Sequence, residues 1–177
     1  MQAAVGDMRT QSFYGFAVIL QMYLNNNSST QHQIFNEDSL TFFMPVDREL
    51  SKFTLSPEHL EDFLLSHSMT MTLQFSDLIH FPTGTTVPSG LHDRMIKIQN
   101  HGKSNFYVND AQVITPNVCV NSMMIKCHGI DSVIKYGNDD YSNNRRIDRA
   151  PVAGTVRSPP KTYSVSPRPR SSIHGHY

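Results

Sequence analysis

The spacing of apolar residues along this chain changes period once, near Met95, and that change limits the fold more than any other feature. Ahead of it the pattern is helical. Phe13, Phe16, Ala17, Leu20 and Leu24 recur at helical spacing and predict an amphipathic helix over 8–24, with Thr10 or Ser12 able to cap its start. Residues 1–7 are expected to form a flexible N-terminus. Ser56-Pro57-Glu58 opens a second helix, with a hydroxyl at the cap, proline in the first turn and an acidic residue facing the dipole. Its apolar stripe is Leu60, Phe63, Leu64 and then His67. A short helix is expected over 76–80, with Asp77 early in it. Between the helices, Leu40–Met44 is an almost continuous apolar run ending at Pro45, which suits a buried strand whose ladder stops where the backbone donor is lost. Asp47 follows, placed to cap a helical turn through Leu50. Pro82, Gly84, Pro88 and Gly90 mark a loop.

From Met95 onwards the alternation is strand-like. Residues 95–99 alternate, 100–103 carry turn chemistry, and Phe106–Val108 makes the return strand. Asn109-Asp110 turns again before a strand over 112–115. A last strand is expected over 123–134, broken near Gly129. Helices first and a meander of short strands afterwards is an α+β order, not an alternating βαβ one.

After Tyr136 the composition shifts. Five of the ten prolines lie beyond residue 150, and apolar residues become too sparse to offset the entropy of ordering the backbone. The expected organisation is a folded domain over 8–137 and a disordered, basic Pro/Ser/Arg-rich tail over 138–177. Up to residue 140 there are 8 basic and 14 acidic side chains; beyond it there are 7 and 1. The basic part of the chain is therefore its least foldable part, which argues against a nucleic-acid-binding domain.

Chemistry-bearing motifs are sparse. The nine histidines include no His-x-x-x-His pair and have no Cys-x-x-Cys beside them, so no metal site is expected. There is no Gly-x-Ser-x-Gly elbow and no glycine-rich phosphate loop, so neither a catalytic residue nor a cofactor site is assigned. A proton-transfer pair of His67 with Asp47 is outweighed by the reading of His67 as a buried, hydrogen-bonded histidine. Cys119 and Cys127 allow either one bridge in an oxidising compartment or two reduced, buried thiols. Asn26 and Asn27 each open a glycosylation sequon in a polar loop over 25–33, used only if the chain enters the secretory pathway. The longest apolar run, Phe13–Leu24, is shorter than the ~20 residues of a membrane span. It also makes a poor signal peptide, because Arg9 is the only positive charge ahead of it. In the tail, Ser158-Pro159 and Ser166-Pro167 read as proline-directed phosphorylation sites in a cytosolic setting, as hydroxylated and glycosylated dipeptides in a plant secretory one, or as a solvated linker with no specific partner.

Two segments are more specific. Thr41-Phe42-Phe43-Met44-Pro45-Val46-Asp47 resembles the first signature of fasciclin domains, Thr-x-Phe-Ala-Pro-x-Asp. His128-Gly129-Ile130-Asp131-Ser132-Val133-Ile134 resembles the second, His-x-Ile-Asp-x-Val-Leu. Between them His67 falls where the family's Tyr-His motif would lie, and Asn109-Asp110-Ala111-Gln112-Val113 is similar to its Asn-Gly-Ala-x-Val stretch. Asn121 stands where an Asn-Gly usually precedes the last signature. The wording is nearest to plant fasciclin-like arabinogalactan proteins and their shorter relatives.

The resemblance implies N-terminal helices packed on a twisted, mostly antiparallel sheet. It implies that Thr41, Phe43, Pro45, Asp47, His67, His128, Ile130, Asp131 and Val133 serve structure and interaction and carry no reaction. Asp47 and Asp131 would accept backbone N–H bonds at strand ends, and His67 would reach towards one of these strands. The implied function is a non-enzymatic, extracellular adhesion or cell-wall module binding protein or glycan partners, self-association included. Ser66 in place of the motif's tyrosine removes the basis for an integrin-type role. Met44 and Gly129 also depart from the pattern. With no legible leader and no hydrophobic anchor tail, the expectation is a truncated form of a secreted protein. The rival is an intracellular scaffold whose tail is a phosphorylated docking segment at Ser158 and Ser166. A His67-centred hydrolase comes third.

Overall fold

The computed structural model describes residues 1–26 and 39–136. The sequons at Asn27 and beyond, the domain boundary at 137 and the whole tail over 138–177 lie outside the described residues.

The N-terminus differs from the expectation of a flexible lead and one helix. Residues Gln2–Thr10 form α1, and Tyr14–Asn26 form α2. Ala4, Val5 and Met8 of α1 are buried in the helical core, so residues 1–7 belong to the domain. The chain turns between the helices at Ser12, which holds φ of 66°. A left-handed residue cannot continue a right-handed helix, so the run read as one element is two.

Strand β1 (Leu40–Pro45) leads into the short helix α3 (Asp47–Leu50). A 3-10 turn at Pro57–His59 opens α4 (Leu60–Ser66), followed by β2 (Ser68–Met69) and α5 (Phe75–Leu78). Ser56 does not cap α4 through its hydroxyl. That group meets Nδ1 of His59 at 2.7 Å instead. The meander is β3 (Thr86–Pro88), β4 (Met95–Asn100), β5 (Phe106–Val108), β6 (Ala111–Thr115) and β7 (Ile125–Ile130). Strand β3 falls within the expected loop. It has three residues and sits at the sheet edge, the position where Pro88 costs no ladder hydrogen bond.

These strands make one seven-stranded sheet in the order β2-β1-β7-β6-β5-β4-β3. Only β1 and β7 run parallel, with Leu40 opposite Ile125 and Pro45 opposite Ile130. Every residue of β1 is buried, because both faces of the central strands are covered. Leu40, Phe42 and Met44 face a core built with α1, α2 and α4. Phe43 faces a second core with Met69, Phe75, Ile96, Phe106 and Ile130. The period-two alternation thus separates two apolar cores by one layer of backbone. The fold is α+β.

Strand β7 is not broken at Gly129. The residue keeps its place opposite Met44, while its pairing with β6 slips between Val113 and Thr115. The strand ends at Ile130, four residues short of the expected end.

Candidate functional site

The parallel pairing of β1 and β7 lays the two signature segments side by side. Phe43 stands opposite His128, Met44 opposite Gly129 and Pro45 opposite Ile130. Thr41 and His128 are buried, Asp47 and Asp131 are half-buried, and each of the four side chains is engaged by backbone. Thr41 Oγ1 donates to the Met71 carbonyl at 2.7 Å and accepts the Leu73 N–H at 2.9 Å, tying β1 to the segment ahead of α5. The Phe43 N–H donates to the His67 carbonyl at 2.8 Å. Beyond Pro45, the Val46 N–H donates to the Ile130 carbonyl at 3.1 Å, closing the end of the parallel pair.

Asp47 and Asp131 stand just past these strand ends. Asp47 Oδ1 accepts the Gly15 N–H at 2.9 Å, so a carboxylate on α3 satisfies an orphan donor in the first turn of α2. Asp131 Oδ1 accepts the Gln112 N–H at 2.8 Å and the Ser132 hydroxyl at 3.0 Å. Val133, two residues on, is buried in the helical core.

His67 ends α4 with no solvent exposure. Its Nε2 accepts the Ile134 N–H at 3.0 Å, so the proton sits on Nδ1 and points to the Phe63 carbonyl at 2.9 Å. The ring stacks on Phe63 at 4.3 Å between centroids. His128 holds the opposite tautomer: Nδ1 accepts the Asn117 N–H at 3.1 Å and Nε2 donates to the Leu73 carbonyl at 3.0 Å. Burial lowers both histidines to about 4, so both are neutral. The structure does not join His67 to Asp47, since each is engaged by its own backbone partners. Ser66, at the position of the motif's tyrosine, is fully buried and donates to the Phe63 carbonyl at 2.8 Å.

Cys119 and Cys127 are disulfide-bonded across a separation of 8 residues. The loop they close is also held from outside. Buried Asp7 of α1 accepts the Asn121 N–H at 2.8 Å and its side-chain N–H at 2.5 Å. Sequence reasoning marked Asn121 but missed Asp7. The loop displays Val120, Met123 and Met124, which are 72%, 86% and 48% exposed. Asn109 lies at the expected turn with φ of 52°, and its Oδ1 accepts the Lys97 N–H at 2.8 Å, a side-chain contact not legible in the sequence. Asn100, expected only as part of a turn, donates through its side-chain amide to the Ile79 and Phe81 carbonyls. Asn26 closes α2, and Asn27 is not among the described residues.

Among the described residues no three His, Cys, Asp or Glu are placed to hold a metal ion. No helix among them is long and apolar enough to cross a membrane.

Residues 16–136 match the profile of the Fasciclin domain. A FAS1 domain-containing protein of Selaginella moellendorffii is 29% identical over 66% of this chain and 45% of its own length. Fasciclin-like arabinogalactan protein 19 of Arabidopsis thaliana is 24% identical over 77% of this chain and 56% of its own length. The chain thus spans about half the length of these curated relatives. Among solved structures, a FAS1 domain pair from the insect cell adhesion molecule Fasciclin I superposes with a TM-score of 0.52 at 14% identity, covering 66% of this chain and 43% of that one. With the signature segments paired in parallel and the profile matched over most of the described domain, the chain belongs to the fasciclin domain family.

Proposed function

We propose that this chain is a non-enzymatic adhesion module that acts outside the cell, through protein contacts made by the loop closed by Cys119 and Cys127. The loop itself carries the reading. A disulfide fits an oxidising compartment. The same bond, with the Asp7–Asn121 contact, holds Val120, Met123 and Met124 towards solvent at little further cost in ordering entropy. Exposed methionines adapt their shape to a partner surface. The relatives' printed names favour the same class, since one structural neighbour is a cell adhesion molecule and one relative an arabinogalactan-type protein. A wall glycan is the alternative partner within this reading. His67 and His128 support a non-enzymatic role, because each has both ring nitrogens bonded within the domain.

The test is adhesion of beads coated with the domain to three surfaces: like-coated beads, plant cell surfaces and protein-stripped wall polysaccharide. Binding that falls for Val120→Asp/Met123→Asp at an unchanged melting temperature supports the proposal. Binding to polysaccharide alone replaces the protein partner with a glycan. Binding to none of the three removes the adhesion reading.

A further inference from the structure

A cavity of about 510 Å³ opens between α2, α3 and the segment after α3. Its walls are Ile19, Leu50, Phe53, Leu55 and Phe63, and Tyr14 and Val18 stand at its mouth. None of the signature residues except Asp47 reaches it. Its volume lies inside the ~300–1,000 Å³ range of small-molecule sites, and its lining has the composition of one, mostly apolar with few polar groups. Tyr14 and Val18 are 56% and 47% exposed, so the cavity is reached directly from solvent.

The cavity is formed by a close approach of backbone to side chain. A Cβ on Gly15 would lie 3.0 Å from Leu50 Cδ1 and 3.1 Å from Asp47 Oδ1. Glycine at this position lets α3 sit against the first turn of α2 and brings the Asp47 carboxylate into the wall.

Asp47 is the one charged residue in the lining. Its Oδ1 is occupied by the Gly15 N–H, and among the described residues no hydrogen bond reaches Oδ2. The cations nearest in sequence do not neutralise it. Lys52 Nζ binds both carboxylate oxygens of Glu49, at 2.8 and 2.7 Å, and Arg48 Nε lies 3.3 Å from the same group. An acceptor-only group in an apolar wall favours a guest that brings a proton donor and disfavours one that brings a second anion.

The geometry points to a binding site for an amphipathic small molecule, with an aliphatic or ring body against Leu50, Phe53, Leu55 and Phe63 and a hydroxyl or ammonium head donating to Asp47. This goes beyond the adhesion reading and does not depend on it, because the loop at 119–127 contributes nothing to the lining.

The test titrates the full chain with decylamine and decanoate below their micelle concentrations and decanol below its solubility limit, and follows amide shifts by NMR together with calorimetry. Decylamine and decanol should bind one to one with shifts at Tyr14, Val18 and Leu55, and decanoate at least about tenfold more weakly. Two fillings, Val18→Trp at the half-exposed mouth and Ser51→Trp on the exposed rim, should each abolish binding without lowering the melting temperature. Asp47→Asn keeps an acceptor for Gly15. It should weaken decylamine about tenfold and leave decanol nearly unchanged, which separates ionic from neutral donors. Equal binding of all three heads overturns the proposal, as does the absence of shifts at the lining residues. A dimer that Val18→Trp dissociates also overturns it, since the occupant would then be a second copy.

Discussion

The ring of Phe13 fills the space that a side chain on Gly129 would need: a Cβ there would lie 2.1 Å from Phe13 Cζ. Gly129 is on the helical face of β7, the face shared with Ile125 and Cys127, and Phe13 enters from the turn between α1 and α2. At this position of the signature, this chain fills the volume from the opposite element.

Gly129→Val should therefore destabilise the domain by about 1–3 kcal/mol through overpacking. Phe13→Ala alone should cost about 3–5 kcal/mol, as for other buried aromatics. The double variant should be more stable than the sum of the two predicts, by about 1 kcal/mol or more. Urea unfolding of the four proteins measures this, and strict additivity would show that the ring and the missing side chain do not compete.

His67→Ala should cost about 3 kcal/mol. The substitution strands the Ile134 N–H and removes the ring stacked on Phe63. His67→Gln restores one acceptor and should recover part of that loss. A melting temperature unchanged by His67→Ala would show that the contact contributes no stability.

Much of this fold can be read from alternation, and what cannot has identifiable causes. Strand β4 shows its period because one face is buried and the other is not. Strand β3 is too short for alternation to register, and it holds Pro88 between Gly84 and Gly90, the residues of a loop. The break between α1 and α2 was hidden because its left-handed residue is a serine, with no glycine or asparagine to announce it. At the site, His128 and Asp131 are legible as parts of a motif, and Asp131 binds the neighbouring strand through Gln112. The partners of Asp47 and Asn121 are not. Gly15 lies 32 residues from Asp47 and Asp7 lies 114 residues from Asn121, so only the tertiary fold relates them.

Stability should fall as the medium is acidified through the histidine range. Burial lowers His67 and His128 to about 4, against an ordinary value of 6.5 when unfolded. Between those values the unfolded chain binds more protons than the folded one, so stability rises with pH there. The contribution is complete above about pH 6.5 and is lost as pH falls towards 4, by roughly 3 kcal/mol for each histidine. Denaturation curves at pH 7, 5.5 and 4.5 measure the slope. His67→Gln should remove about half of it, and a profile flat across this window would mean that the histidines are protonated in the folded state.

Reducing the disulfide should loosen the loop before it unfolds the domain. A bridge that closes a loop with a separation of 8 residues restricts the unfolded chain by about 2.5 kcal/mol in the chain-entropy treatment, so Cys119→Ser/Cys127→Ser should lower stability by about that amount. Both sulfur positions lie in the helical core, and Asn121 remains held by Asp7 when the bridge is gone. The double-serine variant should therefore stay folded, with faster hydrogen exchange confined to residues 120–124. Adding Asp7→Ala removes the second tether and leaves the Asn121 N–H without its acceptor. Exchange in the loop should then rise further, and the bead adhesion attributed to Val120 and Met123 should fall with it. Loop exchange that rises while adhesion holds steady would separate the two, placing the contact surface elsewhere on the domain.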